Sequence, residues 1–240
     1  MFSLLFYAPL LLQGGFGLSP RDAGLAVTPL VVFITIGSIA NGRLVTRVRN
    51  PNTMLYVGFA LVALACFGTV LATRAMPHAL LMAFMMAGGL GLGFVLPNLT
   101  VFAQQTAGRE HLGIATALLQ SLRMIGGMIG TAFTGTLVTR MYEHGVRDAL
   151  TTGRATAWLE RLRDPQILLN IDAQRALARE LAARGFDGAA LIEASREALV
   201  AAIHAGIAVA MVVALFSIWQ CRRVPRIKIT RAAEPVPAEQ

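Results

Sequence analysis

Residues 112–139 read LGIATALLQSLRMIGGMIGTAFTGTLVT, a run in which Arg123 is the one formal charge. A bilayer core about 30 Å thick takes roughly 20 helical residues, so this stretch is long enough to cross it. Four other runs have the same character without any Asp, Glu, Lys or Arg: Ala23 to Gly42, Thr53 to Thr73, His78 to Gln104 and Ala198 to Cys221. A sixth, Met1 to Gln13, is apolar but short, and it ends in the turn-rich Gln13-Gly14-Gly15-Phe16-Gly17. It reads as the second half of a helix, and more membrane protein is expected upstream of Met1. With no basic residue ahead of it and no small-residue cleavage pattern, it does not read as a signal peptide.

Composition agrees with the spans. Of 240 residues, 55% are hydrophobic and 14% charged, against roughly 25% charged in an ordinary soluble domain, and the mean hydropathy is +0.62. A water-soluble enzyme is therefore not expected. The 21 Lys and Arg against 13 Asp and Glu give a formal charge of +8. Position explains that surplus. Arg43, Arg47, Arg49, Arg109, Arg222, Arg223, Arg226, Lys228 and Arg231 follow alternate spans, whereas the opposite short loops hold Arg21 and Arg74. Basic residues accumulate on the cytoplasmic side, which puts the C-terminus inside and needs no nucleic-acid partner. The cluster from Arg222 onward suits contact with anionic lipid. Cys66 and Cys221 have neither a disulfide framework nor zinc spacing and read as small apolar fillers.

These features divide the chain into spans I to V over residues 1–142, an extracytoplasmic loop over 143–197, span VI over 198–221 and a basic tail over 222–240. In the loop Ala173, Leu177 and Leu181 recur at helical spacing, with Asp172, Arg175, Arg179 and Glu180 elsewhere on the surface, which predicts one or two amphipathic helices. Arg231 to Gln240, with Pro235 and Pro237, reads as a disordered tail.

The spans hold no Asp or Glu and no pair of residues spaced for metal ligation or nucleophilic catalysis, so neither a metal nor enzymatic chemistry is expected. His204 reads as a structural histidine. The run Gly88-Gly89-Leu90-Gly91-Leu92-Gly93 fails as a dinucleotide loop, because Phe94 stands at the last glycine position and no strand precedes it. Gly89 with Gly93, and Gly126 and Gly127 with Gly130, instead suit close helix packing, and Pro97 should bend its helix. On that reading a leucine at Gly127 or Gly130 should disrupt packing. Spans III and VI, nearly free of polar residues, should face lipid, and a leucine at Gly68 should be mild.

Arg123 lies eleven residues beyond Leu112, which at about 1.5 Å each is roughly 16 Å into the core. A charge at that depth costs about 3 kcal/mol on insertion scales, so it should face protein or a water-filled cavity. Gln120 and Thr116 can share its face; Asn98 on span IV and Gln13 on span I are further candidates for a substrate pathway.

Several motifs resemble one family. Tyr7-Ala8-Pro9, then Gln13, Gly17-Leu18-Ser19-Pro20 and Ala23-Gly24-Leu25 with Pro29 are similar to a Leu-Pro…Gln…Gly-x-Ser-Pro-x-x-Ala-Gly pattern, with Ala8 in place of leucine. Arg123-Met124-Ile125-Gly126-Gly127-Met128-Ile129-Gly130 resembles R-x-x-G-G-x-x-G, and Gly89 to Gly93 with Pro97 resembles the helix before it. These are features of the major facilitator superfamily, most like its fourteen-span drug:proton antiporters. Gly42, Arg43 and Arg47 resemble that superfamily's G-x-L-x-D-R loop, but Thr46 stands where the acid is expected and Arg49 where a glycine is usual. The charge latch attributed to the loop therefore lacks its acid here.

The resemblance implies an all-α integral membrane protein, the six-helix C-terminal bundle of such a transporter with a helical extracytoplasmic loop, in the bacterial inner membrane. It implies export of small hydrophobic compounds by alternating access, driven by proton-motive force with no cofactor. The proton-carrying acids are then expected in a missing N-terminal half, without which the chain should not transport. Membrane lipid is the other partner, with a periplasmic adaptor if the source is Gram-negative. A nutrient or organic-anion permease and a non-transporting six-span scaffold are the alternatives.

Overall fold

The computed structural model describes residues 2–45, 47, 50, 52–152, 162 and 165–223. Thr46, Arg49, the loop around Trp158 and the tail from 224, including Arg231 to Gln240, lie outside the described residues. The elements are helices. In chain order they are α1 (Phe2–Leu10), a π-helical turn (Leu11–Gly15), α2 (Pro20–Leu44), α3 (Asn52–Val70), α4 (His78–Ala107), α5 (Leu112–Thr152), α6 (Ile171–Ala183) and α7 (Gly188–Gln220). Short 3₁₀ turns cover Arg109–His111, Pro165–Leu169 and Cys221–Arg223. α2, α3, α4, α5 and α7 are long and apolar enough to cross a membrane.

The start of α2 follows from three residues. Gly17 takes φ +73, a left-handed backbone that a residue with Cβ rarely adopts. The Ser19 hydroxyl then accepts the backbone N–H of Asp22 at 3.1 Å as N-cap. Pro20 fills the first helical position, where its missing N–H costs nothing.

α4 is the centre of the first sub-bundle and packs on both α2 and α3. Its glycines make this possible on two faces. A Cβ on Gly93 would come within 2.5 Å of the Ile34 carbonyl on α2, and one on Gly89 would strike the Leu30 carbonyl. On the other face, Gly91 lies so close to α3 that a Cβ would meet the Gly58 carbonyl at 2.5 Å. Among apolar helices in lipid such backbone approach supplies the van der Waals contact that hydrophobicity cannot. Pro97 lies inside α4 and has no N–H for the Gly93 carbonyl. The Ser38 hydroxyl on α2 reaches that carbonyl at 3.4 Å.

The second sub-bundle pairs α5 with α7, and α3 joins the two by packing on α7. This corrects the expectation that span III faces lipid; α7 buries Leu199, Ala202, Ile203 and Ile207 but keeps Val212, Val213, Leu215, Phe216 and Trp219 exposed. α3 buries Leu55, Val62, Ala65 and Cys66 against its neighbours and exposes only Val57, Leu64, Phe67 and Leu71 among its larger residues and those just past its end. Gly68 lies under the Phe84 ring, so a larger side chain there collides with α4. An all-apolar helix looks the same toward lipid and toward protein, so sequence could not orient it. Gly126 and Gly130 also depart from expectation: a Cβ on either would meet no described atom within 4 Å. The face of α5 that carries them is open.

Helical structure extends further into the loop than hydropathy suggests. α5 continues to Thr152 and α7 starts at Gly188, well outside the apolar limits at Thr139 and Ala198. The amphipathic helix expected around Leu177 is α6, which buries Leu177 and Leu181 against α7 and exposes Asp172, Arg175, Arg179 and Glu180. Tyr142 is fully buried there, its hydroxyl donating to the Leu162 carbonyl at 2.7 Å. At the same end Arg74 pairs with Glu193 and donates to the Gly15 carbonyl at 2.8 Å, and Arg196 donates to Gln174 Oε1 at 2.6 Å.

Candidate functional site

α1, α5 and α7 enclose an open-sided cavity of about 290 Å³. Its wall on α5 is Arg123, Gly126, Gly127, Gly130 and Thr131; Ser3 closes it from α1, and Val209, Ala210 and Val213 from α7. The glycines leave room that any side chain would fill. Thr131 and Thr134 donate their hydroxyls to the carbonyls of Gly127 and Gly130 at 2.7 and 2.8 Å, so they keep lone pairs for a further donor. Ser3 Oγ stands 3.2 Å from Thr134 Oγ1 and fastens α1 to this wall. Arg123 is half-buried, and its guanidinium donates to Gln120 Oε1 one turn back. The result is a planar set of guanidinium donors on a wall of glycines, apolar side chains and the hydroxyls of Ser3, Thr131 and Thr134. It can hold a carboxylate or carbonyl, or face an acid that another bundle presents.

The remaining pathway candidates are elsewhere. Thr116 accepts from Gln104 Nε2 on α4 at 2.9 Å and donates to the Leu112 carbonyl, so it ties α5 to α4. Asn98 is 1% exposed and donates to Asn41 Oδ1 at 2.7 Å and to the Phe94 carbonyl at 2.8 Å. It belongs to the α2–α4 contact. Gln13 is half-buried in the π-helical turn at the far end of α1. Gly42, Arg43 and Arg47 of the loop motif are exposed at the end of α2. Thus the cavity brings together Arg123, with Gln120 beside it, and the α5 glycines, while Thr116, Asn98 and Gln13 are not part of its wall.

Asn41, Ser3 and the two α5 threonines were not singled out from sequence. Asn41 had a legible signal, an amide near the end of an apolar span, where a polar group seeks a partner on another helix. Ser3 and the threonines had none, since a hydroxyl in a membrane helix bonds its own backbone equally well.

The family model described as Major Facilitator Superfamily matches residues 1–131. The Multidrug transporter protein MdtP of Bacillus subtilis is 31% identical over 140 residues, 58% of this chain and 25% of that protein. The Methylenomycin A resistance protein of Streptomyces coelicolor is 27% identical over 147 residues, 60% of this chain and 31% of that protein. The Tetracenomycin C resistance and export protein of Streptomyces glaucescens is 30% identical over 134 residues, 56% of this chain and 25% of that protein. The matched part of the chain thus spans a quarter to a third of the length of these relatives, and no solved structure matches. A family match over more than half of the residues, on a chain of apolar helices packed through glycines, places this protein in the Major Facilitator Superfamily, to which it belongs.

Proposed function

We propose that this chain is the C-terminal bundle of a fourteen-span, proton-driven exporter of small hydrophobic compounds that works by alternating access. The observation that carries the reading is Arg123, set roughly 16 Å into an apolar helix on the wall of an open cavity. The names of the relatives, which speak of multidrug transport, antibiotic resistance and export, support the substrate class and the direction. Substrate is bound and released without covalent chemistry. The energy comes from the proton-motive force through acids of a facing bundle, because the apolar spans of this chain contain none. The bundle sits in the inner membrane with Arg222 and Arg223 on the cytoplasmic side, and in a Gram-negative source it works with a periplasmic adaptor.

One observation favours a second reading: the fixed positive charge of Arg123 also suits an organic-anion permease. The test is dye efflux from cells expressing the reading frame that contains residues 1–240, with and without a protonophore. Protonophore-sensitive efflux of an uncharged or cationic dye supports export. Uptake of an organic anion without dye efflux supports the permease, and absence of both leaves a scaffold.

A further inference from the structure

Beyond the Arg123 cavity, toward the end of the bundle that carries α6, the helices around it close. Val138, one turn past Thr134 on α5, packs in one cluster with Tyr142, with Tyr7 and Leu11 from α1 and its π-helical turn, and with Ala202 and Ile203 of α7. All of these but Tyr7 are buried. Above this plug the π-helical turn is pressed onto α7: a Cβ on Gly14 would come within 2.7 Å of Leu199, and one on Gly15 within 2.6 Å of Val200. Leu169, in the 3₁₀ turn before α6, also reaches Gly14, 3.5 Å from the same position.

Two arginines fasten this end. Arg74, between α3 and α4, pairs with Glu193 of α7 and donates to the Gly15 carbonyl at 2.8 Å, so one guanidinium bridges the turn and the helix. Arg196 of α7 donates to Gln174 Oε1 of α6 at 2.6 Å, and its guanidinium lies where a Cβ on Gly17 would strike it. Gln174 donates in turn to the Leu168 carbonyl at 2.8 Å. α6 is thereby strapped over the junction of α1 with α7. The Arg74 and Glu193 side chains are 44% and 46% exposed, and an ion pair so wetted biases a position without fixing it. Pro9 inside α1 and the π-helical turn after it give this segment a place to bend.

We propose that Arg74, Glu193, Arg196 and Gln174 form a latch that keeps the α6 end of the Arg123 cavity shut. The cavity opens on this side when the π-helical turn swings off α7, which breaks the Arg74 bridge. The inference rests on the alternating-access reading given above.

The test is the accessibility of a thiol in the cavity, in the full reading frame with Cys66→Ala and Cys221→Ala. Gly126→Cys is the reporter, because a side chain there meets no described atom within 4 Å. Its reaction with an impermeant thiol reagent is followed without substrate, from the α6 side and from the opposite side, in intact cells and inverted vesicles. Glu193→Gln removes the ion pair and should speed labelling from the α6 side about threefold; Arg74→Gln, which also frees the Gly15 carbonyl, should speed it about tenfold. Labelling from the opposite side should not rise, as it would in a loosened bundle. Arg175→Gln, whose partner Asp172 lies on the same helix, should change nothing. In a second arm without the reporter, Arg74→Cys with Glu193→Cys is bridged by a bifunctional thiol reagent, which should stop dye efflux, whereas either single variant treated alike should still export. The latch is overturned if Glu193→Gln and Arg74→Gln label no faster than the parent, if both sides speed up equally, or if Arg175→Gln matches them. It is also overturned if efflux continues at full rate across the bridge, or if the paired thiols cannot be bridged. The expected labelling without dye efflux by any form of the protein would uphold the latch and remove the export reading.

Discussion

Arg123 is the residue on which most of the chemistry rests. A charge at membrane depth is costly, so an arginine there is useful only where it meets a partner. In cells expressing the full reading frame, Arg123→Lys should retain part of the efflux, whereas Arg123→Ala and Arg123→Gln should lose about tenfold or more, the range for a charged hydrogen bond. The measurement is dye efflux normalised to protein in the membrane. Full normalised efflux by Arg123→Ala would remove the residue from the mechanism. Gly68 shows a different kind of constraint. Because the Phe84 ring occupies the space beside it, Gly68→Leu should lower stability by about 1–3 kcal/mol, read as thermal unfolding in detergent. Nothing in the sequence around Gly68 announces that ring, which comes from a different helix.

At the scale of elements, α2 and α4 form the tightest pair, and three features converge there: Gly89 and Gly93 against the α2 backbone, the Ser38 hydroxyl on the Gly93 carbonyl, and the Asn41–Asn98 amide bond. The glycine spacing was legible because four residues return a helix to the same face. Its partner helix was not, since periodicity carries no information on which helix lies opposite. Gly93→Leu should therefore destabilise strongly while Gly130→Leu, on the open face of α5, should be nearly neutral for this chain alone. Comparable unfolding temperatures for the two variants would contradict the seam. Asn98→Ala leaves the Asn41 amide without its donor and should cost about 1–2 kcal/mol, checked by the same unfolding measurement.

At the scale of the molecule, α5 is the least covered helix, with Ile114, Leu118, Leu122, Met128, Ile129 and Phe133 exposed along it. That is the helix with Arg123 and the glycines, so the open face and the charged cavity belong to the same element. The topology can be checked directly: in a Cys66→Ala, Cys221→Ala background, Ala182→Cys on α6 should react with an impermeant thiol reagent from outside, and Gln105→Cys at the end of α4 should not. Labelling of Gln105→Cys in intact cells would reverse the orientation. The number of long spans, their class and the position of Arg123 along its helix were set by the sequence alone, because the bilayer fixes helix length and penalises every charge within it. The boundaries at Thr152 and Gly188 were not, since beyond the bilayer a helix continues on its own hydrogen bonds and on tertiary packing such as that of Tyr142 and Leu181. Only the tertiary structure decided that α3 is packed against α4 and α7, that Asn98 pairs with Asn41 and Thr116 with Gln104, and that the α5 glycines line a cavity. The reason is physical: inside a membrane an apolar face is equally content against lipid or helix, so the choice is made by the shape and hydrogen bonds of the facing helix, which a single span does not contain.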